Sequence, residues 1–183
     1  MPPPPADSPP NAASVDDPDV ISDKRLDSPN LLPPERQLQW RRLTFRHNVN
    51  FDASDVEPTV GFDGGVLEIS FDGGNTTFQD IVAAGGTFVQ GGYNRTIATD
   101  RGSPIEGRQA WSGSSDGFVT VTVDLPEMFL FQNLRWRMAS DTTDSKESWR
   151  VDNVIVVECD SGPPPTPRPF PTPRSRPTRV PRP

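Results

Sequence analysis

The chain has 183 residues, 32% of them apolar, and a formal net charge of −7. Of its 23 prolines, ten fall between Pro163 and Pro183 and ten at or before Pro34, so the packable part amounts to one domain of about 140 residues. Residues 163 to 183 carry five arginines and no acid, leaving 13 basic against 25 acidic groups elsewhere, a balance that repels phosphate backbones and argues against nucleic acid as a partner.

Met1 to Asp19 is proline-rich, polar and aperiodic, and reads as a disordered segment over 1–19. Its opening, MPPPPADSPP, lacks the basic and apolar regions of a signal peptide. Order is expected from Val20, in a domain spanning 20–160. Within Leu38 to Phe51, the residues Leu43, Phe45, His47, Val49 and Phe51 share one face, and Thr44, Arg46, Asn48 and Asn50 the other. That period of two predicts a long strand. His47, the single histidine, falls on its apolar face and is expected in the core, without a second imidazole to join it on a metal.

Gly61 to Gly74, GFDGGVLEISFDGG, predicts a central strand in which Leu67, Ile69 and Phe71 are buried and Glu68 and Ser70 are wet. The Gly-Gly pairs at its ends are expected to make sharp reversals. Phe78 to Ala84 predicts a helical turn or a short strand, Gly91 to Asn94 a turn, and Gly102 to Gly107 a loop. Long ordered loops in an all-β domain build binding surfaces, which directs the search for a ligand to Gly85–Ser115. Further strands follow: Val119, Val121, Val123 and Leu125 on one face; then Leu134, Trp136 and Met138; then Trp149 through Val157.

These elements predict an all-β fold, an antiparallel jelly-roll β-sandwich with disordered proline-rich termini. No stretch reaches the roughly 18 apolar residues of a membrane-spanning helix. Cys159 is the single cysteine, so no intramolecular disulfide or cysteine zinc site is available. The tail over 161–183 reads as a polyproline II spacer, with a ligand for a proline-binding domain as the alternative.

Three chemistries present themselves. Glu68 and Asp72, an even number of residues apart on one strand, form the carboxylate pair that a glycan-processing sandwich enzyme would need; a solvated Glu68 and a turn-capping Asp72 form the alternative. Asp63, Asp141, Asp144 and Asp152 flank strands or sit in turns, and oxygen donors of that kind suit calcium, without matching the EF-hand spacing. Tyr93, Asn94 and Trp111 lie in the loop region and are the candidate glycan-binding residues, with burial of Trp111 as the other reading.

The ordered series VISDKRLDSP, FDGGVLEISFDGG, FQDIVAAGG, GGYNRTI, GRQAWSG, LRWRMASD and WRVDNVIV resembles the MAM-like jelly-roll module of secreted bacterial multidomain proteins, including accessory domains of immune-inhibitor-A-type metallopeptidases. The match spans about Val20 to Cys159. The resemblance implies a noncatalytic, extracellular sandwich that binds a glycan or a protein, or packs on a neighbouring domain. It also implies a structural calcium near the last strand, where Trp149 and Asp152 meet the Trp-x-x-Asp pattern and Asp152 is the ligand carried over; Asp63 and Asp141, from the turns, complete the candidate set. The peptidase zinc motif is absent. The family's first strands precede the point where this chain offers only Met1 to Asp19, so an incomplete sandwich with an exposed sheet edge is expected.

Overall fold

The alternation within Leu38 to Phe51 produces the longest regular run of alternating burial. In this computed structural model, which describes residues 6–31, 40–73, 76–126 and 132–159, every second side chain from Arg41 to Val49 is buried. The other seven of the first eight strands flank it in sequence. The strands are β1 (Ala13–Val15), β2 (Ser22–Asp27), β3 (Trp40–Asn50), β4 (Val60–Gly61), β5 (Gly64–Ser70), β6 (Gln79–Asp80), β7 (Thr87–Gln90) and β8 (Arg95–Ile97). The remaining four are β9 (Gln109–Ala110), β10 (Val119–Asp124), β11 (Asn133–Ser140) and β12 (Ser148–Cys159). No helix occurs among the described residues, and the fold is all-β.

One sheet has the order β1-β12-β3-β10-β7 and the second β2-β11-β5-β6, each with antiparallel neighbours. They face each other across one core: Leu43, Phe45, Val49, Val121, Val123, Trp149 and Val151 come from the first sheet, and Leu67, Ile69, Leu134, Trp136 and Met138 from the second. β-Branched and aromatic residues with period two fit such a half-buried pleat, and each buried large apolar side chain contributes about 1.5–3 kcal/mol. The expectations for β3 and β11 hold, and that for β10 holds at Val121, Val123 and Leu125, whereas Val119 at its start is exposed.

Four expectations need correction. The strand read from GGVLEIS is buried on both faces, since all seven residues of β5 are buried. A third, small sheet, β4-β8-β9, lies over its second face, where Val66 packs with Ile97, Ile105, Ala110 and Ala139. Gly64 and Gly65 make no reversal; they lie inside β5, and a Cβ on Gly65 would stand 2.7 Å from the Trp149 ring, so close approach is what requires glycine there. The reversal role holds at Gly73, with φ 62°.

The segment read as disordered over 1–19 contains β1, which pairs with β12 through Ala13↔Val151 and Val15↔Trp149. The ordered sandwich therefore starts before Val20, and β1 occupies the edge that was expected to be left open. The strand expected from Trp149 through Val157 forms as β12, with a bulge in it: its register with β3 shifts between Asp152 and Ile155, where Asn153 takes φ 51°, and Val154, Ile155 and Val157 point to solvent. The bulge returns Val156 to the core opposite Leu43. The segment 161–183 lies outside the described residues, as do residues 1–5.

Candidate functional site: a carboxylate cluster at one end of the sandwich

Four aspartates from four different connections gather at one end of the two sheets. Asp17 lies between β1 and β2, Asp52 follows β3, Asp63 sits in the two-residue turn between β4 and β5, and Asp141 follows β11. Asp63 and Asp141 are fully inaccessible, Asp17 is 3% exposed and Asp52 8%. Local backbone bonding fixes them. The amides of Phe62 and Asp63 both donate to the Asp52 carbonyl at 3.1 Å, and the Ser112 hydroxyl donates to the Asp63 carbonyl at 2.6 Å. Asp63 Oδ1 accepts the Asp141 amide at 2.6 Å, Asp141 Oδ1 accepts the Thr143 amide at 2.6 Å, and Asp17 Oδ2 accepts the Lys146 amide at 3.3 Å.

Three of the four keep an oxygen that the surrounding framework leaves alone: Asp17 Oδ1, Asp63 Oδ2 and Asp141 Oδ2 are inaccessible and accept nothing from a backbone amide, a hydroxyl or a basic side chain within hydrogen-bond distance. Burial pushes the Asp63 carboxyl up to about 8, reinforced by the negative charges of Asp17 and Asp141, and burial also raises Asp17. The nearest cations stand off: Arg101 Nη1 is 3.9 Å from Asp141 Oδ2, while its guanidinium stacks 3.7 Å over the Phe62 ring, and Lys146 Nζ is 3.5 Å from Asp52 Oδ1. Orphaned, all-oxygen, carboxylate-rich donors on irregular loops fit a hard cation, and calcium, with six to eight oxygens in flexible geometry, fits better than zinc, which prefers nitrogen and sulfur. No three ligating side chains among the described residues stand in a ready-made coordination shell. With a pKa of about 8 Asp63 keeps its proton at neutral pH and hydrogen-bonds the Asp17 side chain, so a bound cation would displace that proton.

Of the residues expected to hold calcium, Asp63 and Asp141 are brought together and Asp152 does not join them. Asp152 accepts the Ser8 amide at 2.8 Å and the Ser8 hydroxyl at 3.1 Å on the outer side of β12, opposite Arg46. Asp144 lines a broad polar depression of about 1100 Å³ beside the cluster, together with Asp52, Phe62, Arg101, Thr143 and Lys146. Asp17 and Asp52 are additions. Asp17 stood in a segment read as disordered, and no spacing rule links loops so far apart in sequence.

The expected glycan-binding residues have structural work instead. Trp111 is 3% exposed, ringed by Phe45, His47, Phe88, Tyr93 and Trp149, and its Nε1 donates to the Gly91 carbonyl at 2.8 Å. Neither face of the indole is open to a sugar ring. The Tyr93 hydroxyl bonds the backbone of Leu67 and reaches Asp80 Oδ2 at 3.1 Å, and burial raises its pKa. Asn94 clamps Ser112 through both ends of its amide, at 3.0 Å each.

Glu68, the expected wet carboxylate, is 4% exposed. Its Oε1 sits between Arg108 at 2.5 Å and Arg137 at 3.3 Å, and these arginines go on to Asp80 and Asp23. Asp72 caps the turn after β5, accepting the Thr77 amide at 2.8 Å and the Thr76 hydroxyl. His47 lies 2% exposed in the core, its Nδ1 accepting Trp149 Nε1 at 3.3 Å, and burial lowers its pKa to about 4. No protein-family model matches the chain, and no curated protein matches it.

Proposed function

We propose that the chain is a noncatalytic module of an exported protein, a jelly-roll sandwich braced at one end by calcium, with its ligand surface at that same end. The single observation that carries the reading is the gathering of four buried aspartates, Asp17, Asp52, Asp63 and Asp141, from four connections at one end of the sandwich. Calcium sites built on loops in extracellular modules bind at roughly 10⁻⁴–10⁻³ M, a range that is filled outside cells and empty in the cytosol. The strand orders β1-β12-β3-β10 and β2-β11-β5-β6 support the jelly-roll reading, because they send the chain back and forth between the two sheets. The polar depression beside the cluster supports a glycan or protein partner there, since it presents Arg101, Lys146, Asp144 and the Phe62 ring together. Glu68, held by two arginines, is better suited to bracing the sheet than to proton transfer.

Calorimetric titration with calcium tests this reading. One ion per chain is expected, with binding lost in Asp63→Asn and unchanged in Asp152→Asn. Absence of binding, or its loss only in Asp152→Asn, contradicts the assignment.

A further inference from the structure

The acids of the fold are unevenly paired. On the sheets, Asp23, Asp27, Asp80 and Asp124 each meet an arginine at 2.6–2.9 Å. The polar depression at the end of the sandwich differs. Asp19, Asp55 and Asp144 on its lining are exposed, and their carboxylates have neither an ion pair nor a hydrogen bond among the described residues. The cations on the same lining are already engaged: Arg95 donates to the Val60 carbonyl at 3.0 Å, Arg101 lies 3.7 Å over the Phe62 ring, and Lys146 Nζ stands 3.5 Å from Asp52 Oδ1. What remains is a negative rim around a cavity of about 1100 Å³, with Val56, 88% exposed, as an apolar contact on it.

A concave surface with unpaired charge of one sign selects a partner of the other. The same chain carries one. Residues 160–183 hold Arg168, Arg174, Arg176, Arg179 and Arg182 against a single acid, Asp160, interleaved with proline. Length decides which of these arginines can reach the rim. β12 runs from Ser148, beside Asn50 at the depression, to Cys159, beside Trp40 at the far end of β3. The 11 residues of β3 span about 36 Å at roughly 3.3 Å each. At about 3.1 Å per residue, Arg174 stands up to roughly 46 Å along the chain from Cys159 and Arg168 only about 28 Å. Arg174, Arg176, Arg179 and Arg182 therefore reach the rim of their own chain, and Arg168 falls short.

We infer that the arginine- and proline-rich segment 174–182 docks on the rim formed by Asp19, Asp55 and Asp144 of its own chain and occupies the depression until a partner displaces it. Guanidinium groups suit this rim because each can meet a carboxylate with two parallel hydrogen bonds, and proline rings can lie on Val56. Single exposed pairs of this kind are weak and screened by salt. Several on one tether act together, because the tether holds them at an effective concentration of about millimolar. The inference rests on the reading of the depression as the ligand surface and needs no cation.

Amide NMR spectra of the full chain in chelator, wild type against the combined variant Arg174→Ser, Arg176→Ser, Arg179→Ser and Arg182→Ser, test the docking. At low salt the amide shifts of Asp19, Asp55, Val56 and Asp144 should differ between the two proteins at every protein concentration, and in about 0.5 M salt they should coincide. A synthetic peptide of residues 160–183 should bind the variant, whose depression is vacant, at least tenfold more tightly than wild type. Adding Asp55→Asn and Asp144→Asn to the variant should weaken that binding at least tenfold; undiminished binding overturns the assigned rim. Identical spectra with equal peptide binding overturn docking within the chain and leave the depression as a surface for cationic segments. Identical spectra with no peptide bound to either protein remove the docking surface as well. Shift differences that grow with protein concentration overturn docking within the chain, because the occupant is then the tail of a second copy.

Discussion

Protonation of His47 gives the account a quantitative handle. The imidazole is enclosed by Phe45, Trp111 and Trp149, and burial, with a smaller push from the Arg46 charge, lowers its pKa from 6.5 to about 4. In the unfolded chain His47 gains its proton near pH 6.5; in the folded chain it does so only near 4. The unfolded state therefore binds more protons between those values, and the stability contribution is complete above pH 6.5 and is lost as pH falls toward 4. At about 1.4 kcal/mol for each tenfold step in proton affinity, the loss amounts to roughly 3 kcal/mol. Asp63 opposes this: its raised pKa favours the folded state at low pH, and that contribution is lost as pH rises through about 8.

The two are separated by comparing wild type with His47→Gln, which keeps an acceptor for Trp149 Nε1 but has no titrating group. Urea unfolding of both proteins from pH 7.5 to pH 4 at one fixed calcium concentration, with slopes of about 1–3 kcal/mol/M, gives the difference profile. Wild type should lose roughly 3 kcal/mol relative to the variant across that range. Parallel profiles would refute the reasoning, because they would mean that the folded protein protonates His47 as readily as the unfolded chain.

Three further substitutions follow from the packing. Gly65→Ala places a methyl 2.7 Å from the buried Trp149 ring and should cost about 1–3 kcal/mol by urea unfolding; a neutral result would mean that the β5–β12 contact is looser than described. Trp111→Ala should lower stability by about 3–5 kcal/mol, as a core deletion does, whereas a surface stacking residue would leave stability near wild type. Arg108→Met removes one of the two arginines on buried Glu68 and the partner of Asp80, and should cost about 2 kcal/mol, with Arg137 limiting the damage; no loss would place the network's contribution elsewhere.

Much of the sandwich can be read directly from residue order. Alternation marks β3, β10 and β11 because each has one buried and one open face, and the core position of His47 follows from its parity with Phe45 and Val49. β5 escapes that logic: a third sheet covers its second face, so Glu68 and Ser70 look like solvent-facing residues and are buried through arginine and hydroxyl bonding. β1 is invisible for a different reason, since three residues within a proline-rich polar segment carry no periodicity. Asp63 and Asp141 are legible because acids flanking strands stand out, but Asp17 and Asp52 join them only through the crossing of distant connections. Trp111 misleads because it follows a loop region; the chain returns there to pair with Gly65 and carries the indole into the core.

The cation site is tested most directly by the thermal midpoint of the full chain in calcium and in chelator, with Asp63→Asn alongside. Calcium at a hundred times its dissociation constant stabilises by about 2.7 kcal/mol, which for a domain of this size raises the midpoint by about 5–10 °C. The account predicts that rise in wild type and none in Asp63→Asn. A wild-type midpoint that is the same with calcium and with chelator would contradict it.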